Sequence, residues 1–230
     1  STMGIIIQIE TATQVCSAAV SKDGNTIALK EQIASNIHAS SLTLFIKEVM
    51  DTAGLQFSDV DAIAVSKGPG SYTGLRIGVS TAKGLCFALE KPLIAIDTLQ
   101  MMAAGFVASN PANMGLICPM IDARRMEVFT QVYDTELRAV SPVSASIIDQ
   151  DSFKTTLDKH KMTFIGDGAA QCKAVLQHVN AYFPEGNFNS SDNMSMLANQ
   201  AFNASRFVDV AYFEPFYLKD FVLTTPKNRL

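Results

Sequence analysis

The feature that most constrains the fold is a glycine-rich turn between an apolar run and a long segment without helix breakers. Residues 62–65 (AIAV) are typical of a buried strand, and residues 72–89 form one uninterrupted helical segment. The turn between them, residues 66–71, reads SKGPGS. A strand, a glycine turn and a helix N-terminus in this order let backbone N–H groups face an anion. The turn therefore has the scaffold of a phosphate site.

The turn matches neither of the two common nucleotide-binding fingerprints. A Walker loop ends in Gly-Lys-Ser/Thr, whereas Gly74 is followed by Leu75 and Arg76. The dinucleotide fingerprint G-x-G-x-x-G needs a closer spacing than that of Gly68, Gly70 and Gly74. Two interpretations stay open: a vestigial phosphate loop, or a tight turn that only glycine and proline can form.

Composition limits the class of protein. The 230 residues can form one large domain or two small ones. The four cysteines lie far apart without a C-x-x-C pair, as expected for reduced thiols in a cytosol. No signal-peptide pattern and no apolar run of the roughly 20 residues of a membrane span are present, so we expect a cytoplasmic protein without membrane contact. The net charge of −4 argues against strong nucleic-acid binding by the chain alone.

The chain repeats itself weakly at a shift that brings Glu10 onto Asp122, each at the end of a strand. Each half also has a later strand followed by a glycine turn and a helix, at residues 68–70 and 166–168. The pattern predicts two similar halves around a cleft, at residues 3–109 and 110–230. Chance similarity between short strand–turn patterns is the alternative.

Hydrophobic periodicity predicts the remaining elements. We expect further strands at residues 4–10, 15–21, 26–31, 92–97, 116–121, 127–133 and 163–165. Further helices are expected at residues 98–107, 151–160, 169–179 and 194–207.

Two helices of the first half have patterns that indicate packing surfaces. The first is expected to begin with Ser40 or Ser41 as its cap and to end at Gly54. Its apolar positions share one face: Leu42, Phe45, Ile46, Val49 and Met50. In the helix at residues 72–89, three small residues lie four apart and form a groove that another helix can approach closely: Gly74, Gly78 and Ala82.

Four segments together resemble the bacterial TsaB (YeaZ) family: residues 9–13 (IETAT), 67–78 (KGPGSYTGLRIG), 121–128 (IDARRMEV) and 214–218 (EPFYL). The resemblance runs from Gly4 to about Leu218. It implies an α/β protein of the actin/hexokinase/Hsp70-like (ASKHA) fold, with two duplicated halves. It also implies a place in the cytosolic machinery that adds a threonylcarbamoyl group to the tRNA adenosine beside the anticodon.

Within that machinery, the resemblance implies a non-catalytic scaffold or activator of a TsaD-like catalytic subunit, beside a TsaE-like ATPase. The chain would reach tRNA only through the complex and would form a homodimer when alone. Catalytic relatives hold a metal with a His-x-x-x-His pair, but the corresponding residues 96–102 (IDTLQMM) contain no histidine. The three histidines, His38, His160 and His178, are too scattered for a ligand pair. We therefore expect no catalytic residue, metal or cofactor, and leave open a nucleotide at the interface shared with TsaD.

The expected site residues form two sets. The first is a vestigial phosphate loop: Gly68, Gly70, Gly74 and Glu10, which stands where family members commonly carry Asp. The second is the partner interface: Leu42, Phe45, Ile46, Val49, Gly74, Gly78 and Ala82. We expect Arg76 to pair with an acid inside the fold. For Arg124 and Arg125, a solvated surface turn is favoured over RNA contact.

Two other functions compete with the scaffold. An ATP-dependent phosphotransferase of the same superfold would need intact phosphate loops and a catalytic carboxylate in both halves. A protease, a label once attached to this wider family, would need a nucleophile–base pair or a metal pair, and neither is recognisable in the sequence.

Overall fold

The computed structural model describes residues 4–33 and 38–219. The outer ends of both predicted halves, residue 3 and residues 220–230, lie outside this part of the chain. The described residues form two five-stranded sheets. The first sheet has the strand order β3-β2-β1-β4-β5 and consists of β1 (Ile5–Glu10), β2 (Val15–Lys22), β3 (Asn25–Ile33), β4 (Ala62–Gly68) and β5 (Leu93–Asp97).

The second sheet repeats the topology of the first. Its order is β8-β7-β6-β9-β10, with β6 (Leu116–Asp122), β7 (Glu127–Thr130), β8 (Ser144–Ile147), β9 (Met162–Ile165) and β10 (Ala181–Tyr182). In both sheets the first strand pairs antiparallel with the second and parallel with the fourth. Glu10 and Asp122 end the two equivalent first strands, and the glycines that follow the fourth strands share a positive φ, 115° at Gly68 and 103° at Gly166. The predicted duplication is confirmed.

Six α-helices lie among the described residues: α1 (Ala39–Ala53), α2 (Tyr72–Leu89), α3 (Thr98–Ser109), α4 (Lys154–Lys159), α5 (Ala169–Cys172) and α6 (Ser195–Asn203). Short 3-10 helices occupy Phe57–Asp59 and Ser191–Met194. Within the described ranges, no helix is both long enough and apolar enough to cross a membrane.

Most predicted elements are confirmed, and the differences have local causes. The predicted cap of α1 was wrong, because the helical hydrogen bonds already begin at His38 O, which accepts from Leu42 N at 3.2 Å. The predicted end at Gly54 is confirmed, and this residue adopts the left-handed conformation with φ 68°. The helix predicted at 169–179 ends at Cys172 and is followed by hydrogen-bonded turns, in which Val175 N and Leu176 N both donate to Cys172 O.

The core joins the two halves. One face of the first sheet packs under α1 and α2, and the second half has an apolar cluster of its own. A central cluster combines residues of both halves, among them Ile6, Met102 and Ile165. The second 3-10 helix, late in the sequence, contacts the first sheet: Gln8 Nε2 of β1 donates to Ser191 O at 2.7 Å. A division at residue 110 separates the two sheets but not their packing, so the domain boundaries stay a prediction.

Candidate functional site

The glycine turn leads directly from β4 into α2. Ser71 caps the helix, and its hydroxyl accepts a hydrogen bond from Gly74 N at 3.2 Å. Gly68 N donates to the Thr98 hydroxyl at 3.1 Å, which ties the turn to the start of α3. The left-handed φ of Gly68 favours glycine at that position.

The protein's own backbone packs closely against this turn. Ser71 N donates to Ala12 O at 2.7 Å, and a Cβ added at Gly70 would lie 2.7 Å from the same oxygen. A Cβ at Gly68 would overlap Phe216 O. Close packing therefore accounts for glycine at both positions, and their role as a phosphate loop stays a prediction.

The small-residue groove of α2 holds a turn of the first sheet rather than another helix. A Cβ at Gly74 would overlap Thr11 O, and one at Gly78 would overlap the Thr11 hydroxyl. That hydroxyl donates to Gly74 O at 2.6 Å, and Ala82 is fully buried in the core beneath α2. At Gly74 and Gly78 the turn after β1 fills the space that was expected for another helix, and the role of the three residues in a partner interface stays a prediction.

The apolar face of α1 is also internal. Leu42, Phe45, Ile46 and Val49 are buried in the core between α1 and the first sheet. These residues were expected to form the partner interface, but they are not exposed on the monomer, because an amphipathic helix covers its own sheet first. The side chains of the predicted interface therefore lie inside the monomer.

Each of these two helices also exposes a large apolar side chain to solvent. Leu44 of α1 is 60% exposed and Phe87 of α2 is 84% exposed. A groove of about 490 Å³ between the helices is lined by Thr43, Lys47, Ser80 and Gly84, with Phe57 at one side. A Cβ at Gly84 would meet nothing within 4 Å, so the groove is open at this point. Leu44 and Phe87 were not predicted from the sequence. The available signal was that each is a large apolar residue outside the periodic pattern of buried positions in its helix.

Glu10 is fully buried behind the glycine turn. Its Oε1 accepts from Ala12 N at 2.7 Å, whereas Oε2 and the Ser66 hydroxyl have no hydrogen-bond partner among the described residues. Burial raises the pKa of Glu10 to about 7, although the Ala12 N–H and the nearby Ser66 hydroxyl act in the opposite direction. Asp122, the equivalent acid of the second half, also accepts from the backbone N–H two residues later: its Oδ1 lies 2.9 Å from Arg124 N. Unlike Glu10, Asp122 is exposed to solvent.

The other titratable groups do not assemble into a reactive centre in the part of the chain that the structure describes. There, no group of three or more His, Cys, Asp or Glu side chains could hold a metal ion. His178 Nε2 lies 3.1 Å from Asp158 Oδ1, and His38 and His160 are exposed. The four cysteines are buried free thiols. Burial raises the pKa of Cys16, Cys86 and Cys118 to about 12, so these thiols are neutral near pH 7.

Residues 214–219, the C-terminal strap, cross from the first half to the second. Phe216 N donates to Lys67 O at 2.7 Å, and the ring of Tyr217 packs against that of Tyr72, with 4.6 Å between centroids and a tilt of 35°. Further along, Lys219 Nζ donates to Ala123 O in the second half at 3.1 Å. Among the described residues no acid forms an ion pair with Arg76, so its expected pairing with an acid stays a prediction; its guanidinium lies 5.5 Å from the Tyr72 ring centroid.

Two duplicated α/β halves, with an acid after each first strand and a glycine turn after each fourth strand, define a protein of the actin/hexokinase/Hsp70-like fold. The activator of the 2-hydroxyisocaproyl-CoA dehydratase from Clostridium difficile is similar to this chain in fold, with a TM-score of 0.50 at 10% identity over 90% of this chain and 98% of that one. At that identity, the likeness concerns the fold alone.

Two closer relatives cover nearly the whole chain. YeaZ from Pseudomonas aeruginosa superimposes with a TM-score of 0.81 at 26% identity, over 94% of this chain and 100% of that one. The tRNA threonylcarbamoyladenosine biosynthesis protein TsaB of Escherichia coli K12 is 27% identical over 226 residues, 94% of each chain. The family model "TsaD: tRNA N6-adenosine threonylcarbamoyltransferase" matches residues 28–225. The chain belongs to the TsaB (YeaZ) family, within this wider threonylcarbamoyltransferase family.

Proposed function

We propose that the chain is a non-catalytic scaffold or activator in the biosynthesis of threonylcarbamoyladenosine in tRNA, and that it binds a TsaD-like catalytic subunit. The name and function of the TsaB relative from Escherichia coli support the pathway. The observation that carries the partner role is the exposure of one large apolar side chain on each helix, Leu44 on α1 and Phe87 on α2, together with an open groove between the same two helices. A TsaE-like ATPase and the tRNA join through the complex, in the cytoplasm.

The glycine turn and Glu10 support a non-catalytic role. Ala12 and Phe216 pack against the turn, and Glu10 is enclosed behind it, so this acid cannot reach a substrate in solvent. A phosphotransferase of the same superfold needs an accessible loop and carboxylate at this place. The arrangement therefore favours the scaffold over that alternative.

The partner-binding function belongs to the first half, because both α1 and α2 lie there. The large apolar side chains that α1 and α2 expose are candidates for a protein–protein interface. In the isolated chain, a symmetric homodimer through the same surface would cover them. Homodimer and heterodimer therefore exclude each other. The buried residues of the predicted interface contribute from beneath, by holding the two helices in place.

Replacement of Phe87 by alanine tests this surface. Because Phe87 is 84% exposed, we expect its loss to leave the free energy of unfolding nearly unchanged. Affinity for the TsaD-like subunit should fall about tenfold or more, as for a truncated aromatic hot spot. The measurements are size-exclusion chromatography with light scattering, titration with the catalytic subunit, and a tRNA modification assay.

Val179 provides a matched control, since it is 94% exposed but lies in the second half. Val179→Ala should leave the homodimer, partner affinity and modification rate as in the wild type. If Phe87→Ala still binds the catalytic subunit and supports modification as the wild type does, the interface lies elsewhere on the chain.

A further inference from the structure

Basic and aromatic side chains meet where the C-terminal strap crosses between the two halves. On the first half, Arg76 lies over the ring of Tyr72, which is 56% exposed and packs against Tyr217 of the strap. On the second half, Lys219 of the strap donates to Ala123 O in the β6–β7 turn. The strap thus contacts both the start of α2 and this turn within a few residues.

The β6–β7 turn holds three consecutive side chains out in solvent. Arg124, Arg125 and Met126 have φ values of 70°, 54° and 66°, a left-handed run without glycine. Each such residue costs about 1–2 kcal/mol of backbone strain. The Asp122 carboxylate and Lys219 hold the turn through Arg124 N and Ala123 O, while all three side chains are exposed. Strain that is maintained without internal packing of the side chains points to an external contact.

The arginines of this surface are not neutralised by neighbouring acids. Among the described residues, none of Arg76, Arg124 and Arg125 forms an ion pair, whereas Lys67 nearby pairs with Asp97 at 3.4 Å. The other described acids of the region are Glu214, which is exposed, Glu127, which follows the turn and whose N donates to Arg124 O at 3.1 Å, and Asp122 and Asp167, whose Oδ1 atoms accept from Arg124 N and Asp122 N.

We propose that this surface, formed by Tyr72, Arg76, Arg124, Arg125 and Lys219, binds RNA. The two arginines of the turn and Lys219 contact phosphates, and Tyr72 with Arg76 offers a plane on which an unstacked base can lie. The inference rests on the proposed function, in which the RNA is the tRNA that the partner subunit modifies. Only a few cations of this surface contact phosphates, so the isolated chain binds RNA weakly. Inside the complex, the same contacts add to the affinity of the assembly for RNA.

The test uses the complex of the chain with its TsaD-like subunit, titrated with an unmodified tRNA transcript and followed by fluorescence anisotropy at two salt concentrations. Arg124→Ala combined with Arg125→Ala should weaken binding about tenfold. The slope of log K against log salt concentration should become shallower by about 0.7–0.9 for each phosphate contact that is lost. Tyr72→Ala should weaken binding at least about fivefold with little change in salt dependence, and Tyr72→Phe should restore it. The control, Lys154→Ala combined with Lys159→Ala, removes two exposed cations of α4 and should have no effect.

The outcomes separate this inference from the proposed function. If the wild-type chain does not assemble with the catalytic subunit, the proposed partnership fails. The RNA-binding inference is then tested by titrating the isolated chain with tRNA at low salt, where the variants should rank in the same order of affinity. Equal tRNA affinity of the wild type and the double arginine variant overturns it. Loss of subunit assembly in that variant also overturns it, because the surface would then be a protein interface.

Discussion

Replacement of Glu10 by glutamine converts the buried carboxyl into an amide that keeps its shape and cannot titrate. The pKa of Glu10 is raised from 4.5 to about 7 by burial. Between these two values the folded chain keeps the proton while the unfolded chain has released it, so the free energy of unfolding falls as pH rises. A shift of this size corresponds to about 3 kcal/mol, as an order of magnitude, lost by about pH 8.

The variant should lack this part of the pH dependence. Its amide oxygen can still accept from Ala12 N, and its NH₂ group can donate to the Ser66 hydroxyl, which has no partner among the described residues. We therefore expect Glu10→Gln to be more stable than the wild type at about pH 8 and similar to it at about pH 5. Urea unfolding across this range, followed by circular dichroism, measures the difference.

Asp122→Asn is the matched control, because this acid has the equivalent place in the second half but is exposed. Its profile should follow that of the wild type between about pH 5 and pH 8. Burial also raises the pKa of Asp167, and this contribution is common to the wild type and Glu10→Gln, so it cancels between these two proteins; in Asp122→Asn the charge of Asp122, a smaller cause of the same shift, is removed. Equal pH dependence of the wild type and Glu10→Gln would refute the reasoning about the buried carboxyl.

Three further predictions concern packing, catalysis and the thiols. Gly78→Ala should lower the free energy of unfolding by about 1–3 kcal/mol, because its Cβ would overlap the Thr11 hydroxyl. Gly84→Ala on the same helix meets open space and should raise the free energy of unfolding by up to about 1 kcal/mol. Urea unfolding of both variants measures these changes. The isolated chain should neither hydrolyse ATP nor transfer the threonylcarbamoyl group, and turnover that follows the protein through successive columns would contradict this. The native thiols of Cys16, Cys86 and Cys118 should react slowly with iodoacetamide near pH 7, since they are buried and neutral, and rapid labelling without unfolding would speak against that burial.

Local patterns were sufficient to predict much of the first half. Helix α2 begins and ends at the predicted residues, because the glycine turn and Ser71 fix its start. The repeat predicted the equivalence of Glu10 and Asp122, since strand, acid and turn recur in the same order. β8 (Ser144–Ile147) was missed, because it is short and polar and its one large apolar residue, Ile147, faces solvent. β10 has only two residues and leaves no periodic signal.

The candidate site was harder to predict for a different reason. Periodicity identifies the apolar face of a helix but not the neighbour that covers it. On α1 that neighbour is the chain's own sheet, and on α2 it is Thr11. The exposed residues Leu44 and Phe87 lie outside those patterns, and the role of the strap depends on contacts between distant segments, such as that of Phe216 with Lys67.

The central claim is that the chain acts through a catalytic partner rather than by its own chemistry. The most direct measurement is threonylcarbamoylation of an unmodified tRNA transcript by TsaD-like and TsaE-like subunits, with the chain present, absent or replaced by Phe87→Ala. We predict strong modification with the wild-type chain, little without it, and an intermediate or low level with Phe87→Ala that recovers at higher concentration of the variant. Full modification without the chain, or modification by the chain without the TsaD-like subunit, would contradict the account.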